Sequence, residues 1–384
     1  MSELLRGTVV TPSGTIDDGV LALADGRVAE VGPASAFPAA TLPAPSDRVY
    51  LPGMIDVHCH GGGGFGFPDS DADGARAAAA HHLGRGTTTL LASLVSAAPE
   101  KLLERIATLA PLVDDGTVAG LHLEGPFLAQ EVCGAQDPRY IIDGDPALLA
   151  TLLDAAGGRI RSMTLAAETP HFADLARQLT DAGAVVSVGH TAGDYDTVAA
   201  ALGTPDGPVS ITHLFNGMHP MHHRHPGAVG AALKVAGEGR AVAEIIGDGV
   251  HLAAGTVAMV FATVGPDHVA LVSDAMQAAG MPDGQYSLGP LEVTVGGGVA
   301  RLTTPDGTPG AIAGGTSSVL DVVVRAVRHS GVPLADAARA GATTPARLLG
   351  LKDRGELSAG LRADVLELSA DLELLRVLRG GEQV

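Results

Sequence analysis

Short apolar runs rich in Val, Ile and Leu alternate along most of the chain with longer stretches rich in Ala and Leu. Runs that are apolar throughout are typical of strands buried on both faces of a parallel sheet, and helices usually connect such strands. The pattern predicts eight strands, at residues 54–60, 88–95, 118–124, 163–168, 185–190, 209–214, 241–247 and 269–274. Eight strand–helix units indicate an α/β fold, a TIM-type (β/α)8 barrel.

The two ends of the chain show a different pattern, in which short strands are separated by tight turns. Asp25-Gly26 is a two-residue hairpin signal in the first of these segments, and residues 363–368 form a strand-like run in the last. We expect the ends to be halves of one small β-domain, residues 1–50 plus 351–384, which the barrel domain of residues 51–350 interrupts.

Side chains able to bind a metal or carry a proton stand where the predicted strands end. His58 and His60 flank Cys59, so both imidazoles lie on one face of the first strand. Six of the eight strands end on, or within a few residues of, such side chains: His58 and His60, Glu124, His190, His213, Asp248 and His251, and Asp274. Because a TIM-type barrel gathers the carboxyl ends of its strands on one face, we expect these side chains to meet there.

Four imidazoles and one carboxylate form the candidate metal-ligand set: His58, His60, Glu124, His190 and His213. Such donors suit Zn²⁺, Fe²⁺, Co²⁺ or Mn²⁺, and we expect one or two ions per chain, with zinc favoured. If two ions bind, Glu124 would bridge them. Any one of these residues alone would more often be structural, so the prediction depends on their joint placement.

Asp274 ends the last predicted strand. A carboxylate that faces a metal-lined cavity can take a proton from water and return it to a leaving group, which predicts a general base and acid. Two alternatives remain open for Asp274: the N-cap of a following helix, and a further metal ligand.

Charge and composition exclude several classes of function. The formal net charge is −19, whereas nucleic acids and anionic membrane surfaces are bound by basic proteins. No apolar run approaches the ~20 residues of a membrane span, and the N-terminus lacks a secretory apolar segment. The two cysteines, Cys59 and Cys133, do not form a disulfide framework. We therefore expect a cytoplasmic protein.

Five motifs resemble the amidohydrolase superfamily and, within it, the N-acetylglucosamine-6-phosphate deacetylases: HLEGPFL at 122–128, GHT at 189–191, THLFNGM at 212–218, DGVH at 248–251 and SDAM at 273–276. The resemblance implies a metal-bearing barrel with a small β-sandwich domain. It also implies hydrolysis of the acetamide of N-acetyl-D-glucosamine 6-phosphate to acetate and D-glucosamine 6-phosphate, a step of amino sugar metabolism. Asp274 would be the general base and acid of that reaction.

The same resemblance implies the substrate contacts: Ala135, Gln136, Asn216, Gly217, Arg224, His251, Ile312, Ala313 and Gly314. Asn216, the Gly217 amide and Arg224 would hold the phosphate, although the four histidines beside Arg224 could also form a surface metal-binding tract. Gln136 stands where the family usually has histidine. The family's arginine tends to reach across a dimer interface, which implies a homodimer.

Three other functions remain open at this stage. They are deacetylation of N-acetylgalactosamine 6-phosphate, another amidohydrolase reaction on a cyclic amide, and binding of a phosphorylated sugar without catalysis. We also expect Cys59 to lie in the core, and His81, His82, His268 and His329 to be exposed to solvent.

Overall fold

A computed structural model of the chain describes residues 3–304 and 307–384. The first segment forms four strands: β1 Glu3–Thr11, β2 Gly14–Ala24, β3 Arg27–Pro33 and β4 Val49–Pro52. The predicted hairpin connects β2 and β3, where Asp25 and Gly26 have φ values of 50° and 74°. These positive values fit the type I′ turn that an Asp-Gly pair favours.

Eight parallel strands follow in the predicted order. They are β5 Met54–Asp56, β8 Thr87–Leu94, β9 Gly120–Glu124, β10 Ile160–Leu165, β11 Val185–Val188, β12 Val209–Ile211, β13 Val242–Ile245 and β14 Val269–Leu271. A small separate hairpin, β6 Gly61–Gly62 and β7 Phe65–Gly66, lies between β5 and β8. Each strand pairs with its neighbour in sequence from β5 and β8 round to β14. The barrel prediction is confirmed, although several strands end earlier than predicted.

The barrel closes just beyond the ends of its first and last strands. The backbone N–H of Asp274 donates to the carbonyl of His58 at 2.9 Å, and that of His60 donates to the carbonyl of Ala275 at 2.7 Å. This seam therefore ties the two segments that carry candidate site residues directly to each other.

Helices cover the outside of the barrel. They are α1 Ala72–Gly84, α2 Pro99–Asp114, α3 Pro146–Ala156, α4 Phe172–Asp181, α5 Tyr195–Leu202, α6 Gly227–Gly237, α7 Ala254–Val264 and α8 Val319–Ser330. In α8, Ser318 and Asp321 form a capping box, and Val319, Val323 and Ala326 bury one helical stripe. Among the described residues, no helix is both long and apolar enough to cross a membrane.

A four-stranded antiparallel sheet lies between β14 and α8, where the sequence analysis predicted no strands. It consists of β15 Gly284–Leu288, β16 Leu291–Gly296, β17 Val299–Thr303 and β18 Pro309–Ile312. Val293 and Val295 are buried in β16 and alternate with more exposed positions. That alternation was the available signal. The sheet packs beside the barrel mouth, since Leu288 and Ile312 line the cavity there.

The chain then returns to the terminal sheet. After α8 come α9 Leu334–Ala338, a π-helical turn at Arg339–Thr343, α10 Thr344–Leu348, and the strands β19 Val365–Leu368, β20 Leu374–Arg379 and β21 Glu382–Gln383. β19 pairs with β4, which places both ends of the chain in one seven-stranded sheet. This sheet has its own apolar cluster, which includes Leu21, Tyr50 and Val365. The two ends of the chain thus join in one β-sheet, as expected.

Candidate metal centre

Six predicted side chains converge at the carboxyl ends of the barrel strands: His58, His60, Glu124, His190, His213 and Asp274. All six are buried. Five of them line a cavity of about 250 Å³, and His58 is not among the lining residues. Residues separated by more than 200 positions in the chain therefore meet within one small volume.

Three of these residues adopt backbone conformations that are uncommon for side chains other than glycine. The φ values of His190, His213 and Asp274 are 45°, 27° and 45°. Each residue follows shortly after its strand, so the left-handed turn aims its side chain over the end of the barrel. Conformations of this kind collect at functional sites, where the surrounding structure holds them in place.

The Glu124 carboxylate is the centre of the cluster. Its oxygens lie 2.9 Å from the Nε2 atom of His213, 3.0 Å from that of His190, 3.3 Å from that of His60 and 3.6 Å from that of His58. Every imidazole therefore presents Nε2 to the same point. Asp274 adds a second carboxylate, with Oδ1 3.4 Å from Nε2 of both His58 and His60.

Two groups in this cluster have the spacing of metal ligands. One consists of His58, His60 and Asp274, the other of Glu124, His190 and His213, and the ligand atoms within each lie within 4.8 Å of one another. The Nε2–Nε2 distance is 3.1 Å in both histidine pairs. Ligand atoms bound tetrahedrally to zinc at ~2.0–2.1 Å stand about 3.3 Å apart, so the donors fit a divalent ion.

The carboxylates of the cluster favour positive charge in the cavity. Burial opposes charge on His58, but Asp274 and Glu124 outweigh it and hold the pKa of His58 well above its usual value. Burial likewise favours the neutral form of Glu124, yet the charge of His58 and the hydrogen bonds from His190 and His213 hold the Glu124 pKa well below normal. The cavity thus holds a buried carboxylate that needs positive charge beside it.

The remaining predicted residues divide into two groups. Seven line the same cavity: Ala135, Gln136, Asn216, Gly217, His251, Ile312 and Gly314. A Cβ at Gly217, whose φ is +59°, would stand 2.7 Å from Nδ1 of His190, so this tight contact requires glycine. Two residues lie elsewhere. Ala313 is fully buried behind the wall, and Arg224 is exposed on the surface, where it donates to Nε2 of His223 at 2.7 Å.

Gln136 contacts a candidate metal ligand directly. Its Nε2 donates to Oε2 of Glu124, while its Oε1 accepts the backbone N–H of Ser96 at 2.8 Å. The Ser96 contact fixes the orientation of the amide, since a backbone N–H can bond only the amide oxygen. Gln136 is therefore held with its donor toward the cluster.

His251 forms a buried pair with Asp248, which lies three residues earlier. Its Nδ1 lies 2.8 Å from Oδ2 of Asp248, and the second carboxylate oxygen accepts the backbone N–H of His251. Burial opposes charge on His251, but Asp248 outweighs it and raises the His251 pKa. The Asp248 pKa is lowered in turn, because the contact with His251 outweighs burial.

Two acids that were not predicted as site residues lie near the cluster. Glu244 is buried in β13, with Oε2 3.3 Å from Nδ1 of His58. Asp56 accepts the hydroxyl of Ser273 at 2.5 Å across the barrel seam, and burial raises its pKa to about 6 despite that hydrogen bond. A glutamate in the otherwise apolar run of β13 was the signal for Glu244, because acids are rarely buried without a partner.

One expectation about histidines was wrong. His82 is fully buried and not exposed, and its Nε2 donates to the carbonyl of Gly61 at 2.8 Å. Burial lowers its pKa to about 4. His82 thereby supports the glycine turn that follows His60. Cys59 lies in the core as expected, 3.2 Å from the same ring nitrogen.

Comparisons with known proteins agree with this geometry. A family model described as Amidohydrolase family matches residues 49–384. An N-acetyl-D-glucosamine-6-phosphate deacetylase from Mycobacterium smegmatis, solved as a variant in complex with N-acetyl-D-glucosamine-6-phosphate, is 39% identical. Its TM-score is 0.92, and the match covers 100% of this chain and 99% of that one.

Two curated relatives carry different substrate names. N-acetylglucosamine-6-phosphate deacetylase of Bacillus subtilis is 33% identical over 97% of this chain and 94% of its own length. N-acetylgalactosamine-6-phosphate deacetylase of Escherichia coli O157:H7 is 32% identical over 100% and 99%, respectively. The identity values alone do not separate the two sugars.

Proposed function

The chain belongs to the amidohydrolase family, and on that premise we propose that it hydrolyses the acetamide of N-acetyl-D-glucosamine 6-phosphate. The products are acetate and D-glucosamine 6-phosphate. The observation that carries the proposal is the convergence of four imidazoles, Glu124 and Asp274 at the barrel mouth. This set supplies both the ligands and the proton carrier that amide hydrolysis needs.

The residues of the two ligand groups would hold one or two divalent ions, with zinc favoured by the nitrogen and oxygen donors. Glu124 would bridge them, since its carboxylate faces all four histidines. When bound, such an ion lowers the pKa of water toward ~7 and polarises a carbonyl. Glu124 would supply the negative charge that a cation needs beside it in this buried position.

Asp274 is proposed as the proton carrier. It lines the cavity, with Oδ1 3.4 Å from Nε2 of both His58 and His60. There it would accept a proton from the attacking water and deliver it to the nitrogen that leaves as the amine. Without that proton the leaving group would be an amide anion, so this transfer is essential to breaking the bond.

Substrate binding is proposed from the cavity lining. His251, held by Asp248, and Gln136 face the cavity and would bind the sugar. Asn216 and the amide of Gly217 would bind the phosphate, and the loop of residues 312–314 would cover the acetyl group. Glycine at 217 and 314 lets the backbone approach a ligand closely.

We propose a homodimer in which Arg224 of a second copy completes the phosphate site. Arg224 is exposed and does not line the cavity of its own chain. A phosphate dianion within this acidic protein needs a local cation, and the planar guanidinium matches phosphate oxygens.

Both cysteines are free, which supports a reducing cytoplasm as the location.

Deacetylation of N-acetylgalactosamine 6-phosphate is the second candidate function. A relative with that name matches over nearly the full length of both chains. The two sugars differ only in the configuration of one hydroxyl group, so both would present the same acetamide and phosphate to the cavity.

Acetate release from the two sugar phosphates tests the proposal. We expect turnover of the gluco epimer to exceed that of the galacto epimer, and loss of both activities after metal chelation. Equal or faster turnover of the galacto epimer would transfer the assignment to the second candidate. Absence of acetate release from either sugar by the metal-loaded protein would reject the enzyme proposal.

The Arg224→Ala variant tests the phosphate site. It should weaken binding of the phosphorylated sugar far more than that of free N-acetylglucosamine. Arg240→Ala is the matched control, because Arg240 is a surface arginine paired with Glu238 and lies outside the cavity. An equal loss on both substrates would exclude a phosphate contact by Arg224.

A further inference from the structure

The four candidate histidine ligands differ in what holds the ring nitrogen that faces away from the cluster. Nδ1 of His60 lies 3.2 Å from the carbonyl of Ser93, and Nδ1 of His190 lies 3.0 Å from the carbonyl of Val132. Nδ1 of His213 has no partner among the described residues. Two kinds of environment, a backbone carbonyl or no partner, therefore surround these three rings, and the fourth ring, that of His58, faces a carboxylate.

That carboxylate belongs to Glu244. Its Oε2 lies 3.3 Å from Nδ1 of His58, and the side chain is only 3% exposed. The strand β13 fixes its position, since Glu244 is flanked in register by Ala270 of β14 and its carbonyl accepts the N–H of Leu214 at 2.8 Å. Glu244 is outside both ligand groups and does not line the cavity.

The contact has two chemical consequences for His58. A carboxylate acceptor keeps the proton on Nδ1, which leaves the lone pair of Nε2 free to bind a cation. The negative charge also makes the imidazole a stronger donor, as in other carboxylate–histidine–metal arrangements. Nδ1 and Nε2 lie on different edges of the ring, so an ion at Nε2 leaves the Glu244 contact in place.

We propose that Glu244 is a positioning residue that orients His58 and tightens divalent-cation binding at the His58–His60–Asp274 site. The inference rests on the metal-dependent function proposed above. Only the first ion position would then have a ligand histidine held by a carboxylate. In the Glu124–His190–His213 group, no carboxylate among the described residues contacts Nδ1 of either histidine. Loss of Glu244 should therefore weaken one ion position and spare the other.

Two substitutions separate the contributions of charge and hydrogen bonding. Glu244→Gln keeps an oxygen that can accept the Nδ1 proton but removes the charge, whereas Glu244→Leu removes both. Substitution of a partner of this kind weakens metal binding by roughly 10–100-fold in other sites. We expect about tenfold for Gln and a larger loss for Leu, in each case for one ion only.

The experiment withdraws metal from zinc-loaded protein with increasing chelator and measures the zinc retained per chain. His60→Ala and His213→Ala mark which ion belongs to which site. Thr164→Val is the matched control. Thr164 is a buried barrel residue whose hydroxyl bonds His122 and Thr212, neither of which is a candidate metal ligand. It should lose zinc at the same chelator concentrations as the unaltered protein.

The outcomes are distinct. The proposal holds if Glu244→Gln releases the ion that His60→Ala also removes, at about tenfold lower chelator, and keeps the ion that depends on His213. Wild-type retention of both ions in both Glu244 variants would overturn it, as would equal weakening of both ions. Unaltered protein that binds only at the His213 site would overturn it as well. If the unaltered protein binds no divalent ion, the proposed function itself fails.

Discussion

Ser273→Ala should reduce both stability and turnover, because Ser273 holds the barrel seam beside Asp274. Its hydroxyl donates to the buried carboxylate of Asp56 at 2.5 Å and accepts the N–H of Ala275 at 3.0 Å. A hydrogen bond to a charged group contributes ~1.5–3 kcal/mol and a neutral one about 1 kcal/mol. The substitution should therefore lower the free energy of unfolding by about 2.5–4 kcal/mol.

Turnover should fall for a geometric reason. Asp274 follows Ser273 directly, and its N–H bonds the carbonyl of His58 across the same seam. A displacement of ~1 Å at a reacting group can cost about 100-fold in rate. We expect kcat to fall by roughly 10–100-fold on this basis, with little change in KM because the residues proposed to bind substrate are untouched.

Ser210→Ala is the matched control for this prediction. Ser210 is also a fully buried barrel serine, but within the described part of the chain its hydroxyl bonds only another hydroxyl, that of Ser187, at 2.7 Å. It should cost about 1 kcal/mol and leave kcat unchanged. Urea unfolding and steady-state acetate release measure both quantities. If Ser273→Ala lost no more stability and no more kcat than Ser210→Ala, the role of the seam would be refuted.

Three further predictions concern the cavity. Asp274→Asn should retain substrate affinity but lose ~10²–10⁴-fold in kcat, and near-normal acetate release would refute the proton carrier. Gln136→Glu, which places a second carboxylate at Glu124, should lower kcat/KM at least about tenfold, and unchanged kinetics would exclude the contact. In the folded protein the His251 pKa is raised above 6.5 and the Asp248 pKa is lowered below 3.8. Their pairing therefore makes its full contribution to the free energy of unfolding between pH 3.8 and pH 6.5. Urea unfolding of Asp248→Asn should show the greatest loss there and a shrinking one above pH 6.5; a loss constant with pH would contradict this.

The barrel could be predicted from local patterns because a parallel strand buried on both faces is apolar throughout. In β14 all three residues from Val269 to Leu271 are buried and apolar, and the apolar run in the sequence continues to Val272. The topology then required the ends of eight such strands to meet, so the convergence of His58, Glu124 and Asp274 followed from their positions in the chain. Their roles in catalysis remain proposals.

The local patterns did not predict contacts between distant segments. Glu244 meets His58 across 186 positions, and Gln136 reaches Glu124 through a loop without regular periodicity. His82 was expected on the surface, yet the fold packs it against Gly61. Periodicity shows which face of an element is buried but not which residue of another element it meets.

The sequence by itself therefore determined the barrel, the joining of both ends of the chain in one β-sheet and the identity of the residues at the strand ends. These features depend on short-range spacing and on a fixed topology. Only the tertiary structure decided the ring orientations, the Glu244 and Ser273 contacts and the position of Arg224 outside the cavity of its own chain. Side-chain direction and hydrogen-bond partners depend on atoms that folding brings together from distant parts of the chain.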